Sequence, residues 1–205
     1  MKAETIDLYP DETLEDLQRA GLRLIQKRDG FRFGEDALFL VHEAAAGWDS
    51  GRRGPLRFVE FGAGSGVCSI LLTVLSPGSR GIGVEVVSRQ AEVMERNIRL
   101  NGLESRLAAC RADIRDIADP GRDLPERLEP AAANLVLMNP PYLPAQDRAA
   151  PGEDVSRPEI SLEKRMAREE VAVNLPAICR AASRLLRHRG KLICIQRAAR
   201  MFELY

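Results

Sequence analysis

The chain has little of several residue types that define particular classes of protein. Its 205 residues include four cysteines, two histidines and one tryptophan. No two cysteines form a CxxC pair and each lies among apolar residues, which predicts buried free thiols in a reducing compartment. The two histidines are not at zinc-ligand spacing, so we expect no metal. The cysteines are Cys68, Cys110, Cys179 and Cys194.

Long apolar runs and net charge are absent as well. No apolar segment is long enough to cross a bilayer, and the polar first five residues do not resemble a secretory signal, which predicts a cytoplasmic protein with no membrane partner. The 30 basic and 30 acidic side chains cancel, so bulk charge indicates no polyanionic partner. Residues 1–50 carry 6 basic and 11 acidic side chains, and residues 134–205 carry 12 and 8. Any basic surface is therefore local.

From residue 56 onward, predicted strands alternate with predicted helices. This alternation is typical of a parallel sheet with helices on both faces. The predicted strands are 56–61, 81–85, 107–112, 134–138 and 191–195, and the predicted helices are 67–75, 88–101 and 175–186.

The segment ahead of this core has a different pattern. Residues 13–16 resemble a capping box and predict a short helical turn. Residues 22–26 and 31–33 lie on either side of Asp29 and Gly30, which predicts a β-hairpin with an Asp-Gly turn. The apolar spacing after Asp36 favours a helix.

A glycine-rich turn, G-x-G-x-G at residues 62–66, follows the first core strand. Glycines at such a turn let the backbone approach a ligand closely. Glu60, two positions ahead, would repel a pyrophosphate but suits an ammonium or sulfonium group. Glu85 ends the second strand, where a carboxylate accepts from ribose hydroxyls, and Asp113 follows the third, where it is an acceptor for an adenine amino group.

The fourth core strand ends in Asn-Pro-Pro-Tyr at residues 139–142. The two prolines restrict the backbone, which leaves the Asn139 side chain and the Pro140 carbonyl as oriented acceptors for one planar amino group. Two such acceptors would direct the nitrogen lone pair towards an electrophile and stabilise the positive charge that develops. Tyr142 is placed to stack on a flat base.

Together these motifs resemble those of class I S-adenosylmethionine-dependent methyltransferases, in the branch that methylates planar amino or amide nitrogens. Residues 24–26, 30–34 and 36–38 narrow the resemblance to the bacterial tRNA(Val) adenine N6-methyltransferase group, over roughly residues 12–200. The resemblance implies a Rossmann-like α/β/α sandwich with a mostly parallel sheet in one methyltransferase domain. Residues 1–50 would form a hairpin and helix extension, and residues 56–196 the core.

The resemblance also implies roles for individual residues. Gly62, Gly64 and Gly66 would pass under the methionine part of S-adenosylmethionine, with Glu60 at its ammonium, Glu85 at its ribose and Asp113 at its adenine. Asn139 and Pro140 would hold the target amine, with Asn139 also beside the cofactor, and Tyr142 would stack on the base. Gln26 and Asp36 would lie where the N-terminal segment closes over the cofactor, and a helix N-cap is the alternative for Asp36. The candidate substrate contacts are Lys27, Arg28, Arg32, Arg148 and Arg157.

The expected activity is N6-methylation of an adenine in tRNA. The same motif also fits glutamine N5-methylation of a release factor, guanine N2-methylation of rRNA and adenine methylation of DNA. A chain that binds the cofactor or RNA without catalysis is a further alternative. Domains of this kind continue past the fifth strand into a helix and two further strands. In this sequence nine residues follow Gln196, which are too few for that unit. We therefore expect a chain that lacks the last strand pair and leaves the fifth strand as an edge.

Overall fold

A hairpin precedes a doubly wound sheet in the described part of the chain, which comprises residues 6–18, 21–28, 34–48, 54–140 and 175–196 of a computed structural model. The strands are β1 (Glu12–Asp16), β2 (Arg23–Lys27), β3 (Arg57–Phe61), β4 (Arg80–Glu85), β5 (Leu107–Arg111), β6 (Ala133–Met138) and β7 (Leu186–Cys194). The helices are α1 (Glu35–Ala46), α2 (Val67–Leu75), α3 (Ser88–Leu100), α4 (Ile114–Ala118) and α5 (Leu175–Leu185).

The five core strands are arranged in the order β5-β4-β3-β6-β7, and every neighbouring pair is parallel. The chain passes from β3 outward to β5 and then returns to the other side of β3 as β6. All five strands are parallel, but the order in which the chain adds them to the sheet reverses between β3 and β6. In open α/β sheets, ligands bind beyond the carboxyl ends of the strands at such a reversal.

Helices cover both faces of this sheet. On one face, Phe58 and Leu137 belong to a core shared with α1, α2 and α3. On the other, Val59 and Val136 pack with α4 and α5. Because both faces are buried, the strands consist of nearly continuous apolar runs. The predicted Rossmann-like sandwich with a parallel sheet and an N-terminal hairpin is confirmed.

The hairpin in the described residues pairs β2 with β1, which precedes it in the chain, whereas the prediction paired residues 22–26 with residues 31–33. β1 and β2 pair antiparallel, with Leu14 opposite Ile25. The prediction of a helical turn at residues 13–16 is wrong, because these residues extend along β2 instead. The strand predicted at residues 22–26 is confirmed as β2, while the Asp-Gly turn and residues 31–33 lie outside the described residues.

Two further predictions need correction. Cys179 is exposed and Cys194 is half-buried, whereas Cys68 and Cys110 are buried as expected. Cys179 lies on α5, whose buried face is formed by its neighbours Ala177, Ile178, Ala181, Ala182 and Leu185. The last strand begins at Leu186 and not at residue 191, because a register shift against β6 accommodates the extra residues.

β7 is an edge strand of the described sheet. Residues 197–205 lie outside the described ranges, so the absence of a final strand pair stays a prediction. None of the helices within the described ranges is long and apolar enough to cross a membrane.

Candidate functional site

The predicted site residues follow the carboxyl ends of four adjacent parallel strands. The glycine-rich turn follows β3, Glu85 ends β4, Asp113 comes two residues after β5, and Asn139 comes directly after β6. Phe61, at the end of β3, pairs with Met138 of β6 and with Val84 of β4. The backbone therefore brings these residues to the edge formed by the carboxyl ends of the strands, around the point between β3 and β6 where the strand order reverses.

The glycine-rich turn leaves space above its backbone. Gly62 and Gly64 have φ values of 64° and 55°, in the left-handed region that favours glycine. A Cβ added at either position would have no atom of the described residues within 4 Å. At Gly66, by contrast, a Cβ would lie 2.7 Å from the Met94 side chain. Gly66 is thus required for packing against α3, while the open space above Gly62 and Gly64 can accept a ligand that passes close to the backbone.

Glu60 is a buried residue of β3 whose carboxylate contacts the first turn of α2. It is 2% exposed, and its Oε2 accepts from the Ser69 backbone N–H at 2.8 Å and from the Ser69 hydroxyl at 2.5 Å. Burial raises the pKa of Glu60 to about 7, although the Ser69 hydrogen bonds oppose the shift. Ser69 gave no signal in the sequence, because a serine inside an apolar helix has no distinctive pattern.

Glu85 fixes the position of the turn. Its Oε2 accepts from the Gly64 N–H at 2.8 Å, and its Oε1 accepts from the Val87 N–H at 2.9 Å. The Glu85 charge also contributes to the raised pKa of Glu60. A role for Glu85 at a ribose stays a prediction.

Asp113 is the N-cap of α4. Its carboxylate accepts from the Arg115 backbone N–H at 2.7 Å and from the Arg115 guanidinium, Nε to Oδ1 at 3.0 Å and Nε to Oδ2 at 2.9 Å. Hydrogen bonds from the Arg115 side chain hold the pKa of Asp113 below its usual range. Asp113 is therefore an ionised acceptor near the edge of the site, and its contact with an adenine stays a prediction.

Asp36 is the second residue of α1 and is not its N-cap. Helix α1 begins at Glu35 and its N-cap is Gly34, so the alternative of an Asp36 N-cap is wrong. Burial, the Glu60 charge and the Asp36 charge raise the pKa of the Cys68 thiol well above its usual range. Helix α1 packs against α2, which contains Cys68, and a contact of Asp36 with the cofactor stays a prediction.

The structure describes the first two residues of the Asn-Pro-Pro-Tyr motif. Asn139 is half-buried and Pro140 is buried at the end of β6. Tyr142 and the cations Arg32, Arg148 and Arg157 lie outside the described residues. Their predicted roles, and those of Asn139 and Pro140, stay predictions.

Lys27 and Arg28 lie on the same side of the molecule as the glycine-rich turn. β2 runs antiparallel to α3, because Arg23 contacts Asn101 whereas Ile25 contacts Asn97. The C-terminal end of β2 therefore lies beside the start of α3, which follows Glu85 at the edge of the site. Arg28 is exposed, and Lys27 forms an ion pair with Asp11 at 3.7 Å.

Sequence reasoning missed Asn97, a fully buried residue of α3. Its side-chain Nδ2 donates to the Ser65 carbonyl in the glycine-rich turn at 2.9 Å and to the Ile25 carbonyl in β2 at 2.9 Å. Gln26, the next residue of β2, is also buried. The N-terminal hairpin is thus attached directly beside the turn.

Several curated proteins resemble this chain in sequence, and no family model matches it. The release factor glutamine methyltransferase of Rhodospirillum rubrum is 31% identical over 102 residues, which are 49% of this chain and 28% of that protein. The tRNA1(Val) (adenine(37)-N6)-methyltransferase of Porphyromonas gingivalis strain W83 is 25% identical over 173 residues, 84% of this chain and 61% of the relative. The chain therefore spans less than two thirds of the length of either relative.

Solved structures show the same fold at lower identity. A geranyl diphosphate methyltransferase in complex with SAM superposes with a TM-score of 0.52 and 17% identity, over 78% of this chain and 48% of the other. The geranyl diphosphate C-methyltransferase of Streptomyces coelicolor A3(2) gives a TM-score of 0.50 and 17% identity, over 78% and 43%. At this identity, the likeness shows a shared fold.

Proposed function

We propose that this chain, which has the Rossmann-like fold of the class I S-adenosylmethionine-dependent methyltransferases, methylates the N6 nitrogen of an adenine in tRNA. The observation that carries the proposal is the convergence at one sheet edge of a glycine turn with open space above it, Asn139 and the carboxylates of Glu60, Glu85 and Asp113. Carboxylates suit a cationic cofactor, and an amide beside them suits an amine substrate.

The cofactor fits the residues that surround the turn. A ligand can lie above Gly62 and Gly64, where a side chain would otherwise fill the space. Glu60 is in position to balance an ammonium group, Glu85 to accept from ribose hydroxyls and Asp113 to accept from an adenine amino group. When bound, S-adenosylmethionine supplies a sulfonium methyl group, whose S–C bond breaks as the N–C bond forms to leave S-adenosylhomocysteine.

Asn139 and Pro140 hold the target nitrogen in this proposal. The Asn139 side-chain oxygen and the Pro140 carbonyl accept its two hydrogens, which directs the lone pair towards the methyl group. The same two acceptors stabilise the positive charge on the nitrogen until one proton leaves to solvent. Tyr142 stacks on the base and keeps it in the crevice.

The choice of tRNA is supported by the extent of the sequence match and by charge. The match to the Porphyromonas gingivalis enzyme covers 84% of this chain, whereas the release-factor match covers 49%. Lys27 and Arg28 lie at the C-terminal end of β2, beside the start of α3, and are candidates for a local basic surface. Such a surface binds phosphates without a net positive charge on the whole chain.

Glutamine N5-methylation of a release factor is the second candidate. The Rhodospirillum rubrum relative has the higher identity, 31%, and a glutamine amide presents the same planar NH₂ group to Asn139 and Pro140. Methylation of rRNA or DNA amino groups uses the same chemistry and belongs in the same test.

The test is incubation with labelled S-adenosylmethionine and separated tRNA, rRNA, DNA and release-factor pools. We expect label in tRNA, and a rate that falls steeply with salt because phosphate contacts release counterions. Label in the release-factor pool, at a rate insensitive to salt, would replace the first candidate by the second. Cofactor binding without transfer to any pool would support the binding-only alternative.

A single variant tests the role of Asn139. Asn139→Ala should lower the rate of transfer by a factor of about 100 or more, because one preorganised group of this kind contributes that much. Its affinity for S-adenosylhomocysteine, measured by titration calorimetry, should change by less than about threefold. An unchanged transfer rate would show that Asn139 does not hold the amine.

A further inference from the structure

Asn97 connects two parts of the molecule that are distant in sequence. Its Oδ1 accepts from the Ile25 N–H at 2.7 Å, and its Nδ2 donates to the carbonyls of Ile25 and Ser65, each at 2.9 Å. Both Nδ2 hydrogens and the oxygen are therefore used. One fully buried amide holds the second hairpin strand on one side and the glycine-rich turn on the other.

Asn101 makes the same contact with the hairpin but does not reach the turn. Its Oδ1 accepts from the Arg23 N–H at 3.0 Å, and its Nδ2 donates to the carbonyls of Arg23 and Asn97, each at 2.8 Å. Four residues along a helix span about 6 Å, and two residues along a strand span nearly the same distance. The two amides thus replace a neighbouring strand along the edge of β2 that faces α3.

Ser65 is a sensitive place to hold the turn. It lies between Gly64 and Gly66, both of which adopt positive φ and have few steric restraints of their own. Fixing the Ser65 carbonyl fixes the peptide that leads into α2, and with it the Gly66 N–H that donates to the Ala63 carbonyl at 2.8 Å. Less conformational entropy then remains to be lost when a ligand binds.

We propose that Asn97 is a positioning residue that couples docking of the N-terminal hairpin to the order of the glycine-rich turn, so that cofactor affinity depends on the hairpin. The dependence on the cofactor rests on the proposed function. Coupling between two sites is reciprocal, so an occupied turn also strengthens docking of the hairpin that carries Lys27 and Arg28.

The experiment compares Asn97→Ala with Asn101→Ala. Both variants lose the amide pair to β2, but Asn97→Ala alone loses the bond to Ser65. Amide hydrogen exchange reports on the turn without any ligand, through the Gly64 N–H bound to Glu85 and the Gly66 N–H bound to Ala63. We expect exchange at these two amides to be about tenfold faster in Asn97→Ala, and unchanged in Asn101→Ala.

Titration with S-adenosylhomocysteine provides the second measurement. Asn97→Ala should bind about tenfold more weakly, and Asn101→Ala within about twofold of the unaltered chain. Equal exchange at the turn in the two variants would overturn the proposal. If the unaltered chain does not bind S-adenosylhomocysteine, the proposed function fails, while the exchange comparison still decides whether Asn97 orders the turn.

A variant at the open end of the hairpin, where Glu12 pairs with Lys27, covers the case in which Asn97→Ala does not fold. Glu12→Gln leaves Asn97 in place and weakens the contact of β1 with α3. Under the proposal, exchange becomes faster at Gly66 as well as in β2. Faster exchange confined to β1 and β2 would show that the hairpin and the turn are independent, which would overturn the coupling.

Discussion

Glu12 and Glu60 are two carboxylates buried in strands, and their partners differ in charge. Glu12, in β1, accepts from Arg96 at 2.7 Å and 2.8 Å and from Arg89 at 2.7 Å. Glu60, in β3, accepts from the amide and hydroxyl of Ser69, which are neutral. Two guanidinium groups balance Glu12 within the protein, whereas burial raises the pKa of Glu60 to about 7.

The difference separates structural attachment from ligand recognition. A buried carboxylate with cationic partners is satisfied without a ligand. Glu12, Arg89 and Arg96, which we call the Glu12 cluster, attach the hairpin to α3. A buried carboxylate with neutral partners gains most from a cation that arrives with a ligand. Glu60 is therefore the better candidate for contact with an ammonium group.

The largest expected effect in this comparison is that of Glu12→Gln. Removal of one partner from a buried ion pair commonly costs 3 to 5 kcal/mol, and we expect about 3 kcal/mol here because Arg89 and Arg96 remain partly exposed to water. Urea denaturation followed by circular dichroism, with hydrogen exchange of β2 amides, measures the loss. Asp11→Asn is the control, since Asp11 is about half exposed and its ion pairs, 3.7 Å and 4.0 Å long, should contribute less than about 1 kcal/mol. Equal effects of the two changes would contradict the assignment.

The next effect is the pH dependence of stability that arises from Glu60. The folded protein retains a proton up to about pH 7 that the unfolded chain releases near pH 4.5. Between these values the folded state binds more protons, so the free energy of unfolding falls as pH rises, by about 3 kcal/mol in total. Glu60→Gln should remove this slope. Urea denaturation at several pH values between 4.5 and 8 tests it, and identical slopes in both proteins would show that Glu60 does not titrate in this range.

The same titration predicts how ligand affinity changes with pH. An ammonium group favours ionised Glu60, so affinity for S-adenosylhomocysteine should rise by up to about tenfold per pH unit between pH 5.5 and 6.5. The ligand amine remains charged in this range, because an α-amino group has a pKa of about 7.7 to 8.0. Titration calorimetry with Glu60→Gln as the control should give a flat profile. A pH-independent affinity in the unaltered chain would remove Glu60 from the ammonium site.

The core and the glycine-rich turn were predictable from the sequence because their signals are local. Strand β6 is apolar apart from Asn134, and the glycines at 62, 64 and 66 occupy the positions that the turn requires. The pairing of β1 was not predictable, since the inward position of this strand carries a charge, Glu12, while Leu14 is exposed. No apolar alternation marks such a strand.

The contacts of Asn97 and Ser69 were also beyond reach of the sequence. Each lies in a correctly predicted helix, and each contacts a partner that belongs to another element. Asn97 contacts Ile25, 72 residues away, and Ser69 contacts Glu60 across the turn. A polar residue in a helix is usually solvated, so spacing alone does not distinguish these two from surface residues.

The smallest expected effect tests whether the Glu12 cluster acts as one unit. The Tyr9 ring lies 4.0 Å from the Arg89 guanidinium carbon and 4.8 Å from that of Arg96. Tyr9→Leu should therefore lower the free energy of unfolding by about 1 kcal/mol, and Tyr9→Phe, which keeps the ring, by less than half of that. In combination with Glu12→Gln, the loss should differ from the sum of the single losses, because both changes act on the same two arginines. Strict additivity would show that Tyr9 covers the hairpin as an apolar side chain, and that Glu12 holds the arginines without its help.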